Sequence, residues 1–135
     1  MIIRIQKEVI DATEVIRSVR TPEAGAVVTF QGTVRRFSGD TEVSRLYYES
    51  YKEMAEKSMK GIADEAVSRF GIIDYTIEHR TGDVNLGEDS VIVSVSAAHR
   101  EEAFSACKFI IDRIKTETPI WKKDIDVTGK ETWRD

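Results

Sequence analysis

A chain of 135 residues and 15.3 kDa is one domain by length, residues 1–135, since domains cluster at roughly 100–150 residues. Its composition, 41% hydrophobic and 33% charged, excludes both a disordered polyelectrolyte and a membrane protein. A formal net charge of −4 argues against a protein that coats nucleic acid, so any anion site must be a local concentration of positive charge on an acidic background.

The first residues alternate, Ile3 and Ile5 against Arg4 and Gln6, and predict a short strand. Asp11 or Thr13 is placed to cap a brief helix with Val15, Ile16 and Val19 inward, broken at Thr21-Pro22-Glu23. GAVVTFQGTVRRF predicts a long strand in which Gly32 marks a bulge or a close backbone approach. A turn at Ser38-Gly39-Asp40 leads into a return strand carrying Val43, Leu46, Tyr47, Tyr48 and Tyr51. From Lys52 to Phe70 the period becomes helical: Ala55, Met59, Ile62, Ala63, Ala66, Val67 and Phe70 share a stripe, and Gly71 stops it. IIDYTIEHRTG and DSVIVSVSAA predict two more strands joined through Asn85-Leu86-Gly87. A second long helix starts near His99, buries Ala103, Phe104, Cys107, Ile110, Ile111 and Ile114, and ends at Thr118-Pro119. IWKKDIDV and KETWRD close the chain as strands around Gly129. Six or seven strands, mostly hairpin-linked, with two long helices and one short N-terminal helix, give an α+β class with mostly antiparallel strands. Nothing resembles a signal h-region or a span of eighteen apolar residues, so a cytoplasmic protein that does not enter the membrane is expected.

The chemistry must come from ordinary side chains. There is no GxGxxG, no GxxxxGK[ST] and no GxSxG. A single cysteine, Cys107, excludes an internal disulfide, a Cys-rich zinc site and a CxxC pair, and its place on an apolar stripe makes it a small buried hydrophobe. Two histidines, His79 and His99, are too few for an all-protein transition-metal site, so no metal is expected. His79 reads as a structural or interface residue, and the Tyr47, Tyr48, Tyr51 group as sheet and core packing. What remains is a set of cations at element ends. His99 and Arg100 stand at a strand-to-helix junction, where free N–H groups favour an anion. Arg35 and Arg36 follow Gly32, where a charged strand end needs no ligand to explain it. Lys115 sits in the last turn of its helix, a position the dipole favours without any function. Lys122 lies beside Trp121, where desolvation favours a neutral amine.

Four segments in register carry a family likeness: GAVVTFQGTVR, YYESYKEMA, HRTGDVNLGEDSVIVSVSAAHREEAF and KTETPIWKKD. Together they resemble the large, catalytic subunit of molybdopterin synthase, with AHR-x-x-AF and K-x-x-x-P-x-W-K the most specific parts. The resemblance implies an α/β hammerhead-like fold and a homodimer within a heterotetramer. Each protomer would bind a small ubiquitin-like sulfur carrier whose C-terminal Gly-Gly bears a thiocarboxylate. Sulfur would pass to cyclic pyranopterin monophosphate to build the dithiolene of molybdopterin, with no resident cofactor. Carried over by motif, TFQGTVR places Thr33, Val34 and Arg35 in the substrate site. AHR places His99 and Arg100 there from the neighbouring protomer. K-x-x-x-P-x-W-K makes Lys115 and Lys122 the catalytic lysines, with Lys123 and Asp124 in the adjoining strand. Two departures stand out. Thr33 occupies a position where many relatives have lysine, so one cationic phosphate contact is either missing or supplied by Arg36. The chain ends at Asp135, so a substrate group from a longer tail is not expected.

Residue chemistry and resemblance agree. Arg35, Arg100 and His99 suit a cyclic phosphate. Lys115, crowded by Lys122, would have a lowered pKa and move a proton beside the thiocarboxylate, while Lys122 orients the substrate. Phe37 or Ile120 would line the groove of the extended donor tail. Two other readings remain: a non-catalytic phosphate- or nucleotide-binding module that uses the same cations, and a structural or RNA-associated interaction domain that uses the strand edges and aromatics, which the acidic balance opposes.

Overall fold

The computed structural model describes residues 1–134; Asp135, the last residue of the predicted terminal strand, lies outside them. Among the described residues there are nine strands and three helices, in two sheets. The first sheet has the order β1 (Ile2–Gln6), β5 (Asp74–Arg80), β7 (Asp89–Ala97), β2 (Ala26–Thr33), with β1 parallel to β5 and the other pairs antiparallel. Its apolar face carries Ile77, Val91, Val93 and Val95 and is covered by the two long helices. In α2 (Lys52–Phe70), Ala55, Met59, Ile62, Ala63 and Ala66 are buried at the spacing of one helical face. Gly71 ends α2 in the left-handed region at φ +66°, its N–H donating to Val67 O at 2.9 Å. In α3 (Arg100–Glu117), Ala103, Ala106, Cys107, Ile110, Ile111 and Ile114 face inward. Phe104 does not: it is 63% exposed, about a quarter-turn off the centre of the stripe. The short α1 (Ala12–Val19) is capped by the Asp11 side chain, which accepts from Glu14 N at 3.2 Å, and packs Val15 and Val19 on the sheet's opposite face.

The second sheet is built on β4 (Thr41–Ser50). One edge of β4 pairs with β8 (Ile120–Asp126), which pairs in turn with β9 (Glu131–Arg134). The other edge takes β3 (Phe37–Ser38) and β6 (Gly82–Asn85). Strand β6 was not expected as a separate element. A single residue, Thr81, separates it from β5, so the chain leaves one sheet and enters the other in one step. Gly82 at φ +79° makes that turn possible, and the polar run around it carries no period that marks the break. Arg80 holds the crossing: its guanidinium donates to Lys7 O, Asp83 O and Glu88 Oε1, each at 3.2 Å.

The predicted long strand through Phe37 is also divided. Strand β2 ends at Thr33 after a register shift between Gly32 and Thr33, and Val34 to Arg36 form a connection into β3. Gly32 is both a bulge and a close approach, since a Cβ there would lie 2.7 Å from Val91 Cγ1. Val34 turns inward and packs with Val43, Leu46, Tyr48 and Val84 in a second, smaller core. No helix of the described residues is long and apolar enough to cross a membrane.

Candidate active site

Strand register brings two rows of residues face to face. Across the first sheet, Ile5, His79, Val91 and Gly32 are successive cross-strand neighbours. Across the second, Gly82, Tyr48, Lys122 and Arg134 are. Between them lies a cavity of about 570 Å³, lined by His79, Val91, Gly32, Tyr48, Lys122 and Arg134 from these rows. Lys115 enters from the last turn of α3, and Thr33 and Arg35 from the end of β2 and the connection after it. Phe30, Ile111, Ile114, Ile120 and Trp121 complete an apolar wall, and Lys115 Nζ stands 5.8 Å from the Phe30 ring centre. Four cations thus share one recess, and no carboxylate among the described residues lines it. Such a lining attracts an anion and holds it by charge-assisted hydrogen bonds.

The cations are not equivalent. Lys122 is half-buried, and burial above all pushes its ammonium below the ordinary lysine range. Repulsion from Arg134, Lys115 and Arg35 acts in the same direction, and only Asp124 opposes it. Arg134 is itself tethered, 2.7 Å from Asp124, in a contact that is ionic rather than an aligned hydrogen bond. The depressed amine therefore falls on Lys122, because β8 carries it into the interior, while Lys115 is exposed at the rim.

At the back of the cavity His79 is buried, and its pKa is pushed down to about 4 by loss of solvent, so the ring is neutral. Its Nδ1 lies 2.7 Å from the Arg80 carbonyl, which can only accept; Nδ1 therefore carries the hydrogen. The Tyr48 ring meets it edge-on at 5.1 Å. A histidine whose folded pKa is depressed takes up its proton later than the unfolded chain does. Its contribution is fully present above pH 6.5 and is lost as pH falls from 6.5 towards 4. The loss is on the order of 3 kcal/mol. Urea unfolding of wild type and His79→Gln between pH 7 and 4 checks this: the variant should show a shallower fall in stability, and identical slopes would refute it.

Of the residues singled out in the sequence, Thr33, Arg35, Lys115 and Lys122 converge here. Val34 does not line the cavity, being part of the second core. Lys123 is on the opposite face of β8, because side chains alternate along a strand. There it lies between the Tyr47 and Trp133 rings, at 4.8 and 5.1 Å, and pairs with Glu131 at 2.5 Å. Asp124 shares the face of Lys122 and acts on the site through Arg134. Arg36 is turned towards Glu42 at 3.9 Å and does not stand in for a cation at Thr33; the additional cation is Arg134, which sequence reasoning passed over. His99 and Arg100 lie elsewhere, in a surface recess with Gly25 and Ala98. Phe37 is exposed away from the cavity, whereas Ile120 lines it. Tyr48, His79 and Ser90 were also missed as lining residues; for Tyr48, which pairs with Lys122, alternation along the paired strand was the available signal. Cys107 is buried, its thiol pushed up to about 11, and donates to Val93 O at 3.6 Å, so it is no nucleophile. Among the described residues no group of three His, Cys, Asp or Glu could hold a metal.

The profile of the MoaE protein family matches residues 5–117. A molybdopterin synthase catalytic subunit from Thermoplasma volcanium is 50% identical over 131 residues, 97% of this chain and 96% of that protein. The crystal structure of molybdopterin synthase from Staphylococcus aureus superposes with a TM-score of 0.91 at 35% identity, covering 97% of this chain and 95% of that one. At 22% identity the same fold recurs, with a TM-score of 0.81 over 98% of this chain and 90% of that one, in a complex of subunits 1 and 2 of molybdopterin-converting factor from Helicobacter pylori. With half its residues shared along nearly the whole of a curated relative, and the same backbone in solved ones, the chain belongs to the MoaE family.

Proposed function

We infer that this chain is the catalytic subunit of a molybdopterin synthase, an enzyme of molybdenum cofactor biosynthesis. It transfers sulfur from the C-terminal thiocarboxylate of a small ubiquitin-like subunit ending in Gly-Gly to cyclic pyranopterin monophosphate. The observation that carries this reading is the cavity in which Arg35, Lys115, Lys122 and Arg134 meet without a lining carboxylate. A phosphorylated heterocycle and an anionic sulfur donor both require such a lining. The non-catalytic phosphate module is set aside, since the relative that matches 97% of this chain is a catalytic subunit.

The work divides by position. Arg35 and Arg134 hold the phosphate. Lys115, exposed at the rim, receives the incoming thiocarboxylate and helps neutralise it. Lys122, held below the usual lysine range, gives up and regains a proton as the cyclic phosphate opens. This exchanges part of the roles the sequence suggested for the two lysines, because burial falls on Lys122 rather than on the helix end. The donor tail lies extended, with glycines slim enough to pass beside Ile120 and Trp121. His99 and Arg100 serve the neighbouring protomer's site in a homodimer, and two small subunits complete a heterotetramer. The protein carries no resident cofactor, and sulfur never resides on Cys107.

The test is incubation of the chain with the thiocarboxylated small subunit and cyclic pyranopterin monophosphate, followed by mass detection of the dithiolene product. Product is expected, together with a partner returned as carboxylate. Binding of the pterin without any sulfur gain would favour the phosphate module instead.

A further inference from the structure

The floor of the cavity differs from its walls in hydrogen-bonding character. In their charged forms Arg35, Lys115, Lys122 and Arg134 are donors only. At the floor the polarity reverses. His79 Nδ1 is spent on the Arg80 carbonyl, so the nitrogen left to the neutral ring is Nε2, an acceptor, on a residue that lines the cavity. Ser90 sits opposite the Gly32 bulge and spends its hydroxyl hydrogen on Gly32 O at 3.0 Å, leaving its oxygen to accept. The Tyr48 phenol lies beside Ser90, and its oxygen has lone pairs of its own to accept with. The floor is held rigidly: the Tyr48 ring braces His79 edge-on, and His79 and Gly32 flank Val91 in adjacent strands.

A ligand bearing only a phosphate has no use for such acceptors. A heterocycle rich in N–H groups needs acceptors, and the cations offer it none. Building on the function inferred above, we propose that His79 Nε2, with the Tyr48 and Ser90 oxygens beside it, is the specificity subsite that accepts from the N–H edge of the pterin, while the cations take its phosphate. His79 thereby sets which phosphorylated heterocycles are held in place for sulfur transfer, without taking part in proton or sulfur movement. A site built to pair with ligand N–H groups rejects analogues that lack them, because its own polar atoms are then left unpaired.

Calorimetric titration of the full chain, assembled with its small subunit, separates the two ends of the ligand. Two probes are used: cyclic pyranopterin monophosphate and inorganic phosphate. His79→Leu should weaken the pterin about tenfold, the scale of one neutral hydrogen bond, and leave phosphate affinity unchanged. His79→Gln, whose amide oxygen can occupy the Nε2 position, should recover most of that loss. Tyr48→Phe keeps the ring that braces His79 and should weaken the pterin by about threefold, again without touching phosphate; this variant carries the test if the His79 substitutions do not fold. Pterin affinity within twofold of wild type in every folded variant would overturn the subsite while leaving the enzyme's function standing. Equal losses of both probes would overturn it too, showing a structural role for the floor. A wild-type protein that binds phosphate but not the pterin would sink the function itself and the subsite with it.

Discussion

Lys115→Ala and Lys122→Ala should each reduce sulfur transfer by about 10²- to 10⁴-fold, the range expected when a positioned proton-transfer or charge-stabilising group is removed. The two losses should differ in kind. Lys122 is half-buried and depressed, so Lys122→Arg restores the charge but not the ability to deprotonate, and should remain nearly as impaired as the alanine variant. Lys115 is exposed at the rim, so Lys115→Arg should keep a larger share of activity. In both alanine variants the small subunit should still bind within a few-fold of wild type, because the proposed groove for its tail is formed by the apolar wall and backbone rather than by the lysines. Single-turnover assays with the thiocarboxylated partner, alongside binding titrations, make the comparison. Near-normal turnover in Lys122→Ala would discard the proton-transfer role.

Asp124→Asn should have the second-largest effect, and on two observables at once. Its carboxylate is the counter-charge of Arg134, and the two side chains are 11% and 26% exposed. Removing one member of a buried pair leaves the other charge uncompensated. The full cost of about 3–5 kcal/mol for such a break is reduced here by the solvent reaching Arg134, to about 1–3 kcal/mol. Asp124 is also the one group that raises the Lys122 pKa, against burial and three cations that lower it. Without it the Lys122 ammonium releases its proton at lower pH still. The Lys122-dependent limb of the pH–rate profile should therefore move towards acid, while thermal unfolding shifts downwards. A destabilised variant with an unmoved limb would show that Asp124 serves the fold alone.

Periodicity made most of the framework legible before any coordinates. Helix α2 runs from Lys52 to Phe70 as its stripe and Gly71 require, and α3 stops where Pro119 forbids continuation. Sheet membership was the hidden part. IIDYTIEHRTG reads as one strand, yet Thr81 breaks it and Gly82 already belongs to the other sheet, and only three-dimensional pairing reveals the division. The site followed the same rule. Lys115 and Lys122 were visible as cations beside a proline break. Their neighbour Lys123 was included by adjacency, although strand alternation sends it to the opposite face. Arg134 and His79 went unrecognised because their importance lies in cross-strand register, Arg134 with Lys122 and His79 with Val91, partners on neighbouring strands. Phe104 shows the complementary failure: an aromatic near an apolar stripe is not thereby inside.

The one-residue passage at Thr81, clamped by Arg80, has a mechanical consequence. The two walls of the recess are welded along their back like the jaws of a fixed vice. At that back edge the clamp opposes any widening of their gape, since spreading the walls there would break the Arg80 hydrogen bonds.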